Sequence, residues 1–357
     1  MKVINAITER TLDWYAHHQR DLSWRQTQDP YLIWVSEIML QQTQVETVIP
    51  YFHRFLSMFP TVQALAKASQ QDVLKAWENM GYYTRARNLH AAARQVVSNL
   101  DGKIPRSRDA LLSLPGIGPY TASAILSFAF GQRVPTLDGN VRRVLCRLFA
   151  IRTPLGQAQT ERRLSELAKD MVPDKDPSSF NQGLMDLGSA ICTPKRPSCD
   201  RCPLQEFCQA FQLELQKTLP ITKKRGPLPH KQMTAGIIRN GQDRLLIAQR
   251  PAKGLLGGLW KFPGGERKMG EGLSKAMERS VMEELGVLIR VDRELAAVKH
   301  AYSHFRITLH TFHCALTGGR PRALGCARWQ WIQPHRLTDV PFSRAERKIL
   351  EVMGMPS

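Results

Sequence analysis

The sequence contains few acidic residues and no long apolar segment. Aspartate and glutamate number 31 against 50 lysines and arginines, so the formal net charge of the 357 residues is +19. Such a balance indicates a polyanionic partner, for which the affinity falls steeply as salt rises. No apolar run is long enough to cross a bilayer, and residues 1–15 lack the apolar core of a signal peptide. We therefore expect a cytoplasmic, nucleoid-associated protein with no membrane partner.

Before residue 230 the sequence also lacks any strand pattern, and turn signals at short intervals divide it into helices. After an N-terminal helix, we predict helices over 31–44, 61–68, 70–80, 84–99, 107–114, 119–130, 139–150 and 160–172. Beyond residue 230 the pattern becomes mixed. The chain is therefore predicted to be multidomain, with an all-α part followed by an α+β part.

Cysteine is scarce, and four of the seven cysteines are concentrated in one short segment. An odd number without a secretory signal favours reduced thiols or a metal site over disulfides. The four are Cys192, Cys199, Cys202 and Cys208, with a C-x6-C-x2-C-x5-C spacing interrupted by prolines. Four thiolates in so short a loop can hold a zinc ion or an iron–sulfur cluster, and the spacing alone does not choose between them. A disulfide pair is the less favoured alternative.

Two short motifs close together give the strongest functional signal. In the first, Leu114–Ala122, Gly116 and Gly118 allow positive φ and a close approach of backbone N–H groups to an anion. Pro119 suits the first turn of the helix that follows, and at a helix N-terminus such an anion is typically a phosphate. In the second motif, Asp138 is a good N-cap for the next helix. The alternatives are an ordinary helical corner and a purely structural cap.

A carboxylate on a mainly apolar helix face is the third signal. In the predicted helix over 31–44, Glu37 shares its face with Ile33 and Trp34, among others. Apolar surroundings raise the pKa of a carboxyl group and keep it protonated, as a general acid requires. The alternative is an ordinary solvated glutamate.

Together these motifs resemble the MutY family of helix-hairpin-helix base-excision DNA glycosylases. The segment Ser36–Val45 closely matches the sequence around the catalytic glutamate of that family, and the cysteine spacing matches its [4Fe–4S] loop. The resemblance implies a helical glycosylase over 1–215. It would contain a six-helix bundle of about 24–130 beside a cluster domain made from the N-terminal helix and 131–215. It also implies that the glycine turn contacts the DNA backbone.

The resemblance further assigns roles to individual residues. Glu37 would protonate the five-membered ring of adenine, Asp138 would stabilise or capture the positive charge left on the sugar, and Asn140 would support Asp138. Tyr120 occupies the position where bifunctional relatives carry a lysine nucleophile, so we expect a monofunctional enzyme that leaves an abasic site. The remaining assignments are Trp24, Arg25 and Gln182 in the adenine pocket, Gln42 and Thr43 in base extrusion, and Tyr82 beside the opposite base. Trp24, Arg25 and Gln182 could equally be core or surface residues, and Tyr82 could be a buried tyrosine at a helix terminus.

The composition changes at a basic, proline-rich linker over 216–232, which includes Lys223, Lys224 and Arg225. Residues 233–357 are predicted to form the α+β domain. We predict strands over 234–239, 245–249 and 305–309, and an Asn-Gly hairpin turn joins the first two.

Residues in the middle of this domain follow the spacing of a Nudix box, with a helix predicted over 273–285. The matching residues are Gly265, Glu271, Arg279, Glu283, Glu284 and Gly286. Ser280 stands where the box has another glutamate, which removes one expected magnesium ligand, so we expect no hydrolysis. The MutY family reads 8-oxoguanine with such a domain through a Phe-Ser-His motif, which in this chain is Tyr302, Ser303 and His304. The resemblance therefore assigns Ser303 and His304 to the oxidised base, with a plain strand edge as the alternative.

The resemblance as a whole implies an adenine DNA glycosylase of base excision repair. Its expected partner is double-stranded DNA with A·8-oxoguanine or A·G mispairs, and its expected cofactor is a [4Fe–4S] cluster. We expect a monomer whose product passes to an abasic-site endonuclease. Two other functions stay open on the residues alone: a nucleotide diphosphate hydrolase and a non-catalytic binder of damaged DNA. Ser280 argues against the first, and the pair of Glu37 and Asp138 argues against the second.

Overall fold

In a computed structural model, which describes residues 2–222 and 226–355, the chain forms two compact units. Unit 1 comprises Met1–Phe52 and Ala92–Arg225, and unit 2 comprises His53–Ala91 and Gly226–Ser357. The segment 53–91 therefore groups with the C-terminal part of the chain. The predicted domain boundaries at 215 and 233 stay a prediction. Of the predicted linker, residues 223–225 lie outside the described residues.

Helices dominate the chain up to residue 212, as predicted. The α-helices of the described residues are α1 (Lys2–His18), α2 (Pro30–Leu40), α3 (Val45–Met58), α4 (Val62–Lys67), α5 (Gln70–Ala76), α6 (Thr84–Asn99), α7 (Arg108–Leu112), α8 (Pro119–Phe128), α9 (Gly139–Leu148), α10 (Ala158–Met171), α11 (Pro177–Ala190), α12 (Gln209–Gln212), α13 (Leu273–Leu285) and α14 (Arg344–Val352). No helix in the described ranges is both long enough and apolar enough to cross a membrane.

Helix α2 ends earlier than predicted. Asp29 caps its start by accepting a hydrogen bond from the Tyr31 backbone N–H at 2.8 Å. The helix stops at Leu40 rather than at residue 44, because Gln42 adopts a left-handed conformation with φ of +57°. Helix α3 then begins at Val45. The sequence analysis missed α3, since Pro50 inside it normally breaks a helix.

Unit 1 is organised around the apolar faces of α9, α10 and α11. Val144, Leu164 and Leu184, one from each helix, are fully or almost fully buried in a common core. Helix α1 packs closely on α11 because Gly183 has no side chain, and a Cβ there would lie 3.1 Å from Tyr15. Helix α2 packs on α8 and is buried on nearly all sides, so its polar residues lie inside the unit.

Unit 2 contains two three-stranded sheets, in the orders β1-β5-β4 and β3-β2-β6. The strands are β1 (His230–Ile238), β2 (Leu245–Gln249), β3 (Trp260–Lys261), β4 (Leu288–Ala301), β5 (Arg306–Gly318) and β6 (Arg328–Ile332). Side chains alternate between the two faces of β2. Leu245 and Ile247 join a core that includes residues of α14, while Leu246 and Ala248 join a core with α13. The predicted α+β class is therefore confirmed, with β2 covered on both faces.

The predicted hairpin between the first two strands is wrong. Asn240 does form a turn, in which its Oδ1 accepts hydrogen bonds from the Gln242 and Arg244 N–H groups at 3.0 Å. However, β1 pairs in parallel with β5, and β2 pairs with β3 and β6. The two strands meet only in an isolated bridge between Arg239 and Leu245. An Asn-Gly sequence thus produced a turn without determining which strand pairs with which.

Candidate active site

A cleft of about 1720 Å³ in unit 1 gathers all four predicted catalytic residues and five of the predicted substrate-binding residues. They come from α2, α8, α9, α11 and the connections between helices, so they are distant in the sequence. The predicted site residues that line it are Trp24, Arg25, Glu37, Gln42, Thr43, Tyr120, Asp138, Asn140 and Gln182. The cleft is larger than a typical small-molecule pocket, which leaves room for a nucleotide with its attached backbone.

Glu37 lies in this cleft and is 4 % exposed. Burial, with a smaller contribution from the negative charge of Asp138, raises its pKa to about 7 against the opposing effects of Tyr120 and Arg25. The Tyr120 hydroxyl donates a hydrogen bond of 2.8 Å to Glu37 Oε2. A carboxyl group with a pKa near neutrality can hold a proton and also release it, which is what a general acid requires.

Asp138 is both the N-cap of α9 and a residue of the cleft. Its Oδ1 accepts a hydrogen bond from the Val141 N–H at 2.7 Å, and its Oδ2 accepts one from the Asn140 side chain at 3.0 Å. Burial raises the pKa of Asp138, while these donors and the charge of Arg143 oppose that effect. The structural and catalytic interpretations of Asp138 are therefore compatible, because one carboxylate satisfies both.

The position of Asp138 depends on a close contact between α9 and α11. A Cβ on Gly188 would lie 2.7 Å from the Cβ of Asn140, so only glycine fits there. Arg143 joins the two helices by donating hydrogen bonds to Asn140 Oδ1 at 2.8 Å and to the Gly188 carbonyl at 2.7 Å. Sequence reasoning missed both Arg143 and Gly188.

The predicted adenine-contacting residues depend on a buried aspartate that sequence reasoning also missed. Asp186, on α11, is 1 % exposed and accepts hydrogen bonds from Arg25 at 2.5 and 2.8 Å and from Arg20 at 2.5 and 2.9 Å. Arg25 also lies over the Tyr15 ring, 5.7 Å from its centre, and the Tyr15 hydroxyl donates to Gln182 Oε1 at 3.2 Å. This network fixes Arg25 at one wall of the cleft.

Trp24, Gln42 and Thr43 line the same cleft in different ways. Trp24 is 6 % exposed and packs edge-on against Phe52 at 5.1 Å, so it has a packing role as well. Gln42 and Thr43 lie in the turn after α2 rather than on the predicted helix. Two residues on a turn at the mouth of a cleft can project toward a ligand more freely than two residues inside a helix.

The glycine turn before α8 agrees with the prediction at one of its two glycines. Gly116 has φ of +80°, the left-handed conformation expected there. Gly118 is the N-cap of α8 with an extended conformation, φ −94° and ψ 178°, so it does not use the positive φ that a glycine allows. A Cβ on Gly118 would meet nothing within 4 Å. Neither backbone strain nor internal packing therefore requires a glycine at that position.

Three of the four cysteines of the 192–208 loop, Cys192, Cys202 and Cys208, lie against the core of unit 1. Burial, with smaller contributions from the charges of Cys192, Cys208 and Cys199, raises the pKa of Cys202 to about 12. Arg147 on α9 is buried and points its Nη1 at Cys192 Sγ over 3.3 Å, and at the Thr193 carbonyl over 2.7 Å. Buried thiols ionise when a metal binds them, and a neighbouring cation stabilises the resulting thiolates, so the loop suits a metal cofactor.

The geometry of these thiols differs from that of a single-ion site. Within residues 2–222 and 226–355, no three histidine, cysteine, aspartate or glutamate side chains are gathered closely enough to hold one metal ion. In a [4Fe–4S] cluster, each cysteine binds a different iron atom, so the four ligands need not meet at one point.

In unit 2 the structure joins two residues that the sequence analysis assigned to the opposite base. The hydroxyl groups of Tyr82 and Ser303 are hydrogen-bonded to each other. Tyr82 is 38 % exposed and has φ of +49°, while Ser303 and His304 lie in the connection between β4 and β5. Tyr302 packs against Phe305 in the same connection, with ring centres 5.0 Å apart.

Basic side chains bind the glutamates of the Nudix-like box. Arg279 donates hydrogen bonds of 2.7 Å to Glu271 and 2.8 Å to Glu283. Lys261 forms an ion pair of 2.9 Å with the buried Glu284. These ion pairs neutralise part of the negative charge of the box glutamates, and Arg279 is itself a residue of the box.

Three family models match the chain, and together they cover both units. The model of the HhH-GPD superfamily base excision DNA repair protein matches residues 35–170. The model of the iron–sulfur binding domain of endonuclease III matches 192–208, which identifies the four-cysteine loop as the site of a [4Fe–4S] cluster. The NUDIX domain model matches 234–352.

Similar proteins support the same grouping. The adenine DNA glycosylase of Rattus norvegicus is 34% identical over 402 residues, which cover 98% of this chain and 78% of the rat protein. The adenine DNA glycosylase of Buchnera aphidicola subsp. Schizaphis graminum is 34% identical over 350 residues, covering 98% of this chain and 99% of its own. A solved thermostable thymine-DNA glycosylase superposes with a TM-score of 0.55 at 31% identity, covering 59% of this chain and 98% of its own.

Proposed function

Because the chain belongs to the adenine DNA glycosylase family, we propose that it acts on duplex DNA in which adenine is mispaired with 8-oxoguanine or guanine. The chain is a DNA-binding glycosylase of base excision repair with a [4Fe–4S] cluster. The observation that carries the proposed chemistry is the buried Glu37, whose pKa is about 7, in one cleft with Tyr120 and Asp138. The predicted monomeric state, nucleoid location and downstream abasic-site endonuclease stay predictions.

Binding begins on the DNA backbone and ends with the adenine outside the helix. A DNA phosphate is proposed to bind at the backbone N–H groups at the start of α8, where a Cβ on Gly118 would meet nothing within 4 Å. A base inside a duplex cannot reach the cleft, so the adenine is extruded, with Gln42 and Thr43 entering the space that it leaves. Arg25 and Gln182 then contact the extruded base in the cleft.

The reaction breaks the bond between C1′ of the deoxyribose and N9 of adenine. Glu37 donates its proton to N7 of the base, and the electron pair of the C1′–N9 bond moves onto the purine, which leaves as neutral adenine. The positive charge that develops on the sugar is stabilised by the Asp138 carboxylate. Water adds to C1′ and loses a proton to a carboxylate, which gives the abasic site. Asn140 holds Asp138 in place through its hydrogen bond of 3.0 Å.

Tyr120 makes the enzyme monofunctional. A phenol cannot form a Schiff base with the sugar, so the DNA strand is not cleaved after adenine leaves. Borohydride treatment of the enzyme with a mispaired duplex should therefore give no covalent adduct, and strand scission should require added alkali. A strong trapped adduct would show that another amine acts as nucleophile.

The cluster is proposed to act as a structural element of DNA binding. When bound, it ties Cys192, Cys199, Cys202 and Cys208 together. Arg147 connects this loop to α9, the helix that Asp138 caps. Lys195, Arg196 and Arg201 lie between the cysteines and would place positive charge near the DNA backbone.

Unit 2 is proposed to read the base opposite adenine. Tyr82 enters the duplex beside that base, and Ser303 with His304 contacts 8-oxoguanine. The hydrogen bond between Tyr82 and Ser303 supports a shared task, because it joins residues from distant parts of the sequence. Ser280, which replaces an expected magnesium ligand of the Nudix box, supports recognition rather than nucleotide hydrolysis.

A base-release assay tests this substrate assignment. We expect release of adenine from duplexes with A·8-oxoguanine and, more slowly, from duplexes with A·G, but not from matched A·T duplexes of the same sequence. Equal rates with 8-oxoguanine and guanine would contradict the lesion recognition, and release from A·T would contradict the mispair requirement. Magnesium-dependent hydrolysis of oxidised dGTP by the same preparation would overturn the interpretation of the Nudix-like domain.

A further inference from the structure

We propose that Glu78 and Arg347 are positioning residues that hold Tyr82 against Ser303 and thereby set selectivity for the base opposite adenine. The inference rests on the proposed role of Tyr82 and Ser303. All four residues belong to unit 2, although Glu78 and Arg347 are far apart in the sequence. Neither Glu78 nor Arg347 was assigned a function from the sequence.

Glu78 and Arg347 form a buried ion pair. Arg347 Nε donates to Glu78 Oε1 over 2.6 Å, and the side chains are only 4 % exposed for Arg347 and 9 % exposed for Glu78. The backbone N–H of Phe342 donates to the same oxygen at 2.8 Å, and Lys75 pairs with the other carboxylate oxygen at 2.6 Å. Removing either partner would leave a buried charge poorly compensated, so the pair fixes the segments that carry it.

One short segment, 342–343, is hydrogen-bonded to residues near Tyr82 and to the residue before Ser303. On one side, Phe342 binds Glu78 through its N–H, and its carbonyl accepts a hydrogen bond of 3.4 Å from the Tyr83 hydroxyl. Glu78 and Tyr83 flank Tyr82 in the sequence. On the other side, the Tyr302 side chain is hydrogen-bonded to Ser343, and Tyr302 precedes Ser303. The segment therefore determines how far Tyr82 lies from Ser303.

The backbone around Tyr82 needs such support. Asn79, Gly81 and Tyr82 all have positive φ values, of 71°, 77° and 49°. A left-handed conformation is unfavourable for an aromatic residue and persists only where surrounding contacts impose it. The Glu78 and Tyr83 contacts lie on either side of this strained stretch. When the ion pair is lost, we expect Tyr82 to relax away from Ser303.

Other contacts would keep unit 2 assembled without the ion pair. Gln71 on α5 accepts a hydrogen bond of 2.9 Å from Trp260 Nε1 and donates one of 3.0 Å to the Gly258 carbonyl. Arg87 on α6 donates to the Gly257 carbonyl at 2.8 Å. A variant without the ion pair should therefore lose the placement of Tyr82 before it loses the fold.

The test compares rates of adenine release under single-turnover conditions. Arg347→Met removes the charge and the donors but keeps a long apolar side chain. We expect the ratio of the rate with A·8-oxoguanine to the rate with A·G to fall about fivefold, as for coupled neighbouring sites. The rate with A·G should change less than about twofold, because Glu37 and Asp138 lie in unit 1. Arg336→Met is the matched control, since Arg336 forms an exposed ion pair with Asp339 in the same unit.

A double variant separates a positioning role of Arg347 from a general loss of stability. Tyr82→Phe removes the hydroxyl that binds Ser303, and adding Arg347→Met to it should lower the ratio little further. A purely structural role predicts additive losses and an equal fall of the rate with A·G. If Arg347→Met does not fold, Glu78→Gln, which keeps the side-chain size, decides the question. An unchanged ratio in a folded ion-pair variant overturns the inference, whereas a wild-type ratio near one overturns the proposed recognition of 8-oxoguanine itself.

Discussion

The Tyr120 hydroxyl donates a hydrogen bond of 2.8 Å to Oε2 of Glu37 inside the cleft of unit 1. This bond acts against burial, because it favours the ionised form of Glu37 while burial favours the protonated form. The balance leaves the pKa of Glu37 at about 7 rather than higher. Tyr120, which stands where bifunctional relatives carry a lysine, therefore lowers the pKa of the proposed general acid.

The first prediction concerns pH. Only protonated Glu37 can donate a proton, so the rate of adenine release should fall as pH rises through about 7. In Tyr120→Phe the bond that lowers the pKa is lost, so the pKa rises and the fall in rate should move to higher pH. Single-turnover rates measured across the pH range would show this shift. A movement to lower pH in Tyr120→Phe would contradict the assigned role of the hydroxyl.

The second prediction separates the two functions of Asp138. Asp138→Asn removes the negative charge but keeps an oxygen that can accept the Val141 N–H, so α9 stays capped. We expect adenine release to be abolished, while the melting temperature and the affinity for a mispaired duplex stay near those of the wild type. The measurements are the rate of adenine release, the melting temperature from thermal unfolding and the affinity for a mispaired duplex. Substantial adenine release by Asp138→Asn would show that Asp138 caps α9 and has no catalytic role.

The third prediction concerns the contact between α9 and α11. In Gly188→Ala the new Cβ would lie 2.7 Å from the Cβ of Asn140 and 3.1 Å from its backbone, so α9 must shift and carry Asp138 with it. We expect a loss of about 1–3 kcal/mol in the free energy of unfolding, as for other overpacked sites. The rate of adenine release should fall much more than the folded fraction at the assay temperature. Equal losses of rate and folded fraction would indicate destabilisation alone.

The fourth prediction concerns Gly118, where the structure has open space. Gly118→Ala should change the free energy of unfolding by about 1 kcal/mol or less, because an N-cap with extended backbone accepts alanine with a small penalty. Its Cβ would occupy the space proposed for a DNA phosphate, so the affinity for duplex DNA should fall about tenfold. Gly241→Ala is the matched control, since that glycine also has nothing within 4 Å of a Cβ. Unchanged DNA affinity in Gly118→Ala would show that no DNA phosphate binds at this turn.

The chemistry-bearing residues could be found from the sequence because each lies in a local pattern. The cysteine loop has a distinctive spacing, Asp138 precedes a helix, and Glu37 lies on an apolar helix face. Helix α13 has the predicted bounds, 273–285, because amphipathic periodicity and a following glycine, Gly286, define it locally.

The residues that hold those groups in place could not be found in the same way. Asp186 resembles any solvated aspartate on a helix until Arg20 and Arg25 are seen beside it. The pair of Glu78 and Arg347 joins positions that no local pattern relates. Such contacts depend on tertiary packing, as did the pairing of β1 with β5 in place of the predicted hairpin.

The sharpest test of Glu37 as the general acid is single-turnover release of adenine from an A·8-oxoguanine duplex by Glu37→Gln. Glutamine keeps the size of the side chain but cannot donate a proton from a carboxyl group. The exposed Glu9 on α1 supplies the matched control, Glu9→Gln. We predict that Glu37→Gln binds the duplex but releases no detectable adenine, and that Glu9→Gln is as active as the wild type. Release by Glu37→Gln at the wild-type rate would contradict the assignment of Glu37 as the acid.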